Sequence, residues 1–213
     1  KVLDDHGILL VVDEIQMGFY RTGKLWSFEH FDITPDVVVF GKALTNGLNP
    51  LAGVWAKEEM INPVTFPVGS THSTFASNPL GTAVGLEVMK MLAEKDYEKQ
   101  IMESGAYFLE GLKDLQTRHP EIGDVDGLGL ALRAEICQTD GFTPNKELLD
   151  KMVDIGLSGT LEYEGKQCGL VLDVGGYYKN VITFAPNLEI SRAEIDQAMV
   201  LLEQLLVRAK KEL

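Results

Sequence analysis

Apolar and polar positions follow two rhythms along this chain, and the switches between them mark out its elements. Near the start stand two short runs rich in β-branched residues, ILLVV at 8–12 and VVVF at 37–40. Unbroken apolar runs of this length, bounded by polar residues, predict strands buried on both faces, as in a parallel sheet. The first run ends in Asp13-Glu14 and the second in Gly41-Lys42. A third strand is expected over 51–56 (LAGVWA), where Gly53 lets another backbone come close. A short helix at 57–61 and a loop over 62–70 follow.

From residue 79 the period lengthens. Leu80, Ala83, Val84, Val88, Met91 and Leu92 fall on one helical face over 79–93, with Asn78 as N-cap and Pro79 in the first turn. A second helix over 96–119 turns Ile101, Phe108, Leu109, Leu112 and Leu115 inward, and Pro120 stops it. Alternation over 124–136 predicts a strand after a glycine turn. A helix over 145–155 precedes two strands at 169–174 and 181–184, which flank Gly175-Gly176-Tyr177. Ser191 with Glu194 forms a capping box for a last helix carrying Ile195, Met199, Leu202 and Leu206. The pattern as a whole is α/β. It divides into a first domain over 1–93 and a second domain over 94–213.

Composition narrows the function classes. The 213 residues are 45% hydrophobic and 24% charged, the balance of a soluble globular protein. No apolar run reaches the roughly 18 residues a membrane helix needs, and no leader pattern opens the chain. A formal charge of −13 repels phosphate backbones, so nucleic acid is not an expected partner. Cys137 and Cys168 stand far apart, outside any CxxC pattern, and read as reduced thiols of a cytoplasmic protein. No metal site is expected. Residues 1–7 read as the tail of a helix closed by Gly7, so the chain is expected to begin in mid-fold.

The chemistry concentrates at the ends of the first two strands. Ligands of open α/β sheets bind beyond the carboxyl ends of the strands, where Asp13 and Lys42 stand. In a water-poor pocket a lysine gives up its proton more readily and can attack a carbonyl. Pyridoxal 5′-phosphate (PLP) sites pair such a lysine with a carboxylate at the pyridine nitrogen. The plainer alternative leaves Asp13 capping a turn and Lys42 in a solvated loop. A dinucleotide site is excluded, because no G-x-G-x-x-G follows the first strand.

The surrounding residues add a resemblance. Leu10-Val11-Val12-Asp13-Glu14-Ile15-Gln16, Gly18, Arg21-Thr22-Gly23, Pro35-Asp36-Val37, Gly41-Lys42-Ala43-Leu44 and Asn46-Gly47 together resemble the class III (omega-type) aminotransferases. These are PLP enzymes of fold type I. The resemblance implies that the chain holds the C-terminal part of the large PLP-binding domain, with a mainly parallel sheet, and an α+β small domain. It makes Lys42 the Schiff-base lysine and Asp13 the pyridinium partner, with Ile15 on the ring face and Gln16 near the phenolic oxygen. Arg21 and Thr22 would brace the loop.

Further along, Thr74-Phe75-Ala76-Ser77-Asn78-Pro79-Leu80 resembles the family's T-F-x-x-N-P-L segment, in which the threonine reaches the phosphate bound by the neighbouring subunit. Thr74 takes that role by resemblance, with Ser73 beside it, while His72 reads as a packing residue of the loop. A homodimer with its site at the interface is implied. The glycine-rich phosphate loop and the stacking aromatic of the family would lie before Lys1, so the isolated chain is expected to bind PLP weakly and to be inactive by itself.

Two departures bear on substrate. Asp126 replaces the arginine of the family's R-G-x-G motif, so that stretch receives no catalytic role. At 181–188 the chain resembles I-R-F-x-P-P-L, but Thr183 stands where many members carry the arginine that forks the substrate α-carboxylate. Either the amine lacks an α-carboxylate near this wall, as an amino sugar, diamine or ω-amino compound would, or another cation such as Lys179 supplies the grip. The expected reaction is a ping-pong transamination between an amine donor and an oxo-acid acceptor. A PLP aminomutase, epimerase or decarboxylase of the same fold, or a fragment serving only dimerisation, are the alternatives.

Overall fold

The computed structural model describes residues 1–70 and 72–213, and Thr71, in the loop quoted above, lies outside them. The chain divides into two compact units, 1–98 and 99–213, against an expected boundary after residue 93.

The first unit opens on a short helix, α1 (Val2–Asp5), which ends at Gly7 with φ +63°. A three-stranded sheet follows in the order β1 (Val11–Asp13), β2 (Val37–Phe40), β3 (Gly53–Ala56). β1 and β2 run parallel with Asp13 beside Val39, whereas β3 runs antiparallel to β2. The Asp36 carboxylate knots the near end together, accepting from the Leu10 amide at 2.8 Å and from Lys57 Nζ at 2.5 Å. That ion pair holds the Asp36 carboxyl below the ordinary range, chiefly through the lysine's hydrogen bond.

The apolar run at 8–12 is not buried as its composition implies. Ile8, Leu9 and Val11 are more than half exposed, because β1 lies at the sheet edge with β2 as its one partner. Burial in this unit gathers instead around Val38 and a ring cluster of Phe19, Trp26 and Phe40, with centroids 5.2 to 6.3 Å apart. Gly53 serves that cluster, since a Cβ there would stand 2.5 Å from the Phe40 ring.

Helix α2 (Pro79–Glu94) is capped by Asn78, whose side chain accepts from the Gly81 amide at 2.6 Å. Its apolar stripe does not all turn inward. Leu80 and Met91 are exposed, and burial runs through Gly81, Gly85 and Leu92. The reason is close approach: a Cβ on Gly81 would stand 2.8 Å from the Asn49 and Asn78 side chains, and Gly85 lies in contact with Leu44 and Leu51.

In the second unit the four-stranded sheet runs β4 (Ile122–Leu128), β5 (Ala131–Ile136), β9 (Val181–Phe184), β8 (Asp173–Gly175), antiparallel throughout. The strand expected over 124–136 is thus a hairpin, turning at Gly129-Leu130. Three helices, α3 (Tyr97–Arg118, beginning in the first unit), α4 (Lys146–Leu157) and α5 (Arg192–Glu212), supply the rest of the core. Ile101, Leu112, Leu115, Leu149, Met152, Ile195, Leu205 and Leu206 join Leu132, Ala134 and Ile182 there. The opposite sheet face stays open and polar, as expected for an antiparallel sheet covered on one side. The hairpin β6 (Leu161–Tyr163) and β7 (Lys166–Cys168) was not foreseen; it turns at Glu164-Gly165, both at positive φ.

Candidate active site

Parallel pairing of β1 with β2 sends both strands toward the same end, and the two ionisable residues stand there. Asp13 closes β1, and Val39 is its neighbour across the ladder. Phe40 and Gly41 then carry the chain to Lys42, which opens a 3₁₀ turn at Lys42–Thr45. Neighbouring strands lie about 4.8 Å apart, so the acid and the amine leave one sheet end side by side. Lys42 sits at φ +42°, in the left-handed region that side chains rarely adopt. Strain of this kind costs of order 1–3 kcal/mol, persists where the surroundings enforce it, and clusters at functional sites. The turn is held by the Leu44 amide on Gly41 O and by the buried Thr45 hydroxyl on Asn49 O.

The Asp13 carboxylate accepts from the Ile15 amide at 3.0 Å. Its neighbour Glu14 is buried on the other side of the strand, where its carboxylate receives the Ser27 amide, the Ser27 hydroxyl and the Phe28 amide. Ile15 is half-buried and Gln16 exposed. Among the described residues no water-poor pocket encloses the lysine: Asp13 and Lys42 are both exposed. Ser73 and Thr74 are exposed too, in the turn before α2, in which the Ala76 amide bonds Ser73 O. Of the expected site residues, Asp13, Ile15, Gln16 and Lys42 therefore share one sheet end, while Ser73 and Thr74 lie in a separate loop of the same unit. Glu14 was assigned no role of its own from the sequence, and its burial emerges only from the structure.

Thr183 belongs to the second unit. On the open sheet face it stands in register between Arg133 on β5 and Asp173 on β8, and its hydroxyl donates to the Asp173 carboxylate. A shallow depression there is lined by Arg133, Glu135, Phe142, Tyr177, Tyr178 and Thr183. The Arg133 guanidinium is engaged by three carboxylates, Asp124 at 2.8 Å, Glu135 at 3.1 Å and Asp126 at 3.8 Å. Lys179 is exposed in the β8–β9 turn at φ +55° and does not line the depression.

The residues present fit PLP at its pyridine and aldehyde ends, since an open carboxylate and an open amine leave adjacent strands with nothing buried over them. Solved structures sharing this architecture are aminotransferases. A Bacillus anthracis aminotransferase superposes with TM-score 0.84 at 26% identity, covering 97% of this chain and 46% of that one. An Arthrobacter S-selective transaminase gives TM-score 0.81, 26% identity, and coverage of 98% and 46%. The architecture shared with these transaminases is that of part of fold type I of the PLP-dependent enzymes.

The family model Aminotransferase class-III matches residues 1–206, and the chain belongs to that family, whose enzymes depend on PLP. Among curated relatives, the 4-aminobutyrate aminotransferase GabT of Escherichia coli is 34% identical over 98% of this chain and 46% of its own length. An ornithine aminotransferase of Brevibacillus brevis is 34% identical over 97% and 46%. An alanine/serine racemase of Pyrococcus horikoshii is 32% identical over 96% and 40%. The chain spans less than half the length of these relatives.

Proposed function

We propose that this chain is the lysine-bearing part of a PLP-dependent aminotransferase that passes an amino group from an amine to an oxo acid. The observation that carries the reading is the exit of Asp13 and Lys42 from adjacent parallel strands at one sheet end. Lys42 is the point of attachment for the cofactor aldehyde. Asp13 keeps a proton on the pyridine nitrogen. PLP when bound supplies an electron-poor ring that takes up the electron pair left at the substrate carbon. As general base Lys42 would take the proton from the substrate carbon, and as general acid it would deliver that proton to the cofactor side, with water supplying the oxygen of the oxo product. The oxo product leaves before the acceptor enters, so the kinetics are ping-pong. Ile15 would pack against the ring, Gln16 would stand toward its oxygen side, and Thr74 with Ser73 would complete the phosphate contacts of a second copy in a homodimer. Several relatives act, by name, on amines far from a carboxylate, 4-aminobutyrate among them.

For the donor, the surroundings of Thr183 favour an amine without an α-carboxylate near this wall. The one cation lining the depression, Arg133, is already held by three carboxylates, and Asp173 adds a fourth beside Thr183. An incoming carboxylate would meet net negative charge, whereas a second ammonium or a hydroxyl would be received. The name of the Pyrococcus horikoshii relative keeps racemisation as a second reading.

The test is PLP addition, borohydride reduction and peptide mapping. A pyridoxyl group on Lys42 that Lys42→Ala abolishes is the expected result; equal labelling of other lysines in both proteins refutes the assignment. With an amine donor and a 2-oxo acid, formation of the oxo product and pyridoxamine phosphate distinguishes transamination from racemisation.

A further inference from the structure

We infer that Glu14 is a positioning residue for Asp13, turning that carboxylate toward the open end of the sheet. The inference rests on the reading of Asp13 as the cofactor's partner. Glu14 is fully buried, and its surroundings hold it at five points. Its amide donates to Val39 O at 2.8 Å, and its carbonyl accepts from the Gly18 amide at 3.0 Å. Its carboxylate takes the Ser27 hydroxyl at 2.6 Å and the Ser27 and Phe28 amides at 3.0 Å each. Burying a carboxylate is costly unless hydrogen bonds replace its water, and here three neutral donors do so. A loop that needed only packing would place an apolar side chain here.

The consequence falls on the next residue. Successive side chains of an extended segment point to opposite sides. With Glu14 fixed inward, Asp13 is committed outward, and the Ile15 amide reaches back to its Oδ1 at 3.0 Å. Space behind Glu14 is closed as well, since a Cβ on Gly18 would come within 2.8 Å of Glu14 O and 3.1 Å of the Trp26 ring. The 14–18 turn, the Ser27 turn and β2 therefore act through one buried residue to aim Asp13. Glu14 touches neither cofactor nor substrate.

The test needs no cofactor. The Ile15 amide reports the aim of Asp13 through the hydrogen-exchange protection that its bond to the Asp13 carboxylate gives it. In Glu14→Gln we expect that protection of the Ile15 amide to fall at least two-fold. If the Ser27 and Phe28 amides lose protection while the Ile15 amide keeps that of the wild type, Glu14 merely ties down a turn and the inference is overturned. Should Glu14→Gln fail to fold by circular dichroism, Ser27→Ala removes one of the three bonds, leaves the charge in place, and is read by the same criterion. Whether PLP is trapped on Lys42 of the wild type is scored separately, so failure of the functional reading is distinguishable from failure of this one.

Discussion

Replacing Gly105 with alanine tests the packing of the second unit, because helix propensity and tertiary contact give opposite signs. Gly105 lies inside α3, where alanine in place of glycine favours a helix by about 1 kcal/mol. Yet a Cβ built on Gly105 would stand 2.0 Å from the carbonyl oxygen of Gly129 and 2.4 Å from its carbonyl carbon. Ordinary contact begins near 3.4 Å, so helix and hairpin turn would have to separate by more than an ångström. Both sides of the contact are backbone, and neither can rotate away. Overpacking of this kind costs about 1–3 kcal/mol, and the upper end applies where nothing flexible yields. The net expectation is a loss of about 2 kcal/mol after the helix gain is subtracted.

Gly111 is the internal control, on the same helix. Its Cβ would meet only the flexible Met199 side chain at 3.1 Å, so Gly111→Ala should be neutral or stabilise by up to about 1 kcal/mol. Urea unfolding followed by circular dichroism reads both. With a urea m-value of about 2 kcal/mol/M, Gly105→Ala should lower the midpoint by about 1 M. A Gly105→Ala protein as stable as the wild type would refute the close approach of α3 to the hairpin.

Three other outcomes follow from the same contacts. The Glu203 carboxyl is held below its ordinary range, first by its bond from His119 at 2.8 Å and then by Arg118. A carboxyl depressed in the fold stabilises above its unfolded pKa, about 4.3, and that support is lost as pH falls below it toward the folded value. Thermal melts between pH 5 and about 3 should therefore fall less steeply for Glu203→Gln than for the wild type. Leu149→Ala opens a cavity at a fully buried position and should cost about 2–5 kcal/mol, measured by urea unfolding. Gly53→Ala drives a Cβ against the Phe40 ring and should loosen its contact with Trp26, seen as a change in tryptophan emission.

Much of this molecule was legible in its residue order because the interactions involved are local. Asn78 and Ser191 cap their helices as their types and spacings predict, with Glu194 closing the box on Ser191. Leu112 and Leu115 are buried because a 3.6-residue period admits no other face. Asp13 and Lys42 were singled out as the polar residues that follow two β-branched runs, and the motif around them pointed to the family that the chain belongs to. Tertiary structure alone decided the matters that depend on partners distant in sequence. The run at 8–12 became an exposed edge because strand burial depends on how many neighbours pair, which composition does not encode. Helix α2 buries glycines ahead of Leu80 and Met91 because approach distance outweighs side-chain hydrophobicity there. The quenching of Arg133 and the anchoring of Glu14 likewise emerge only where strand register and turns bring distant groups within hydrogen-bonding reach.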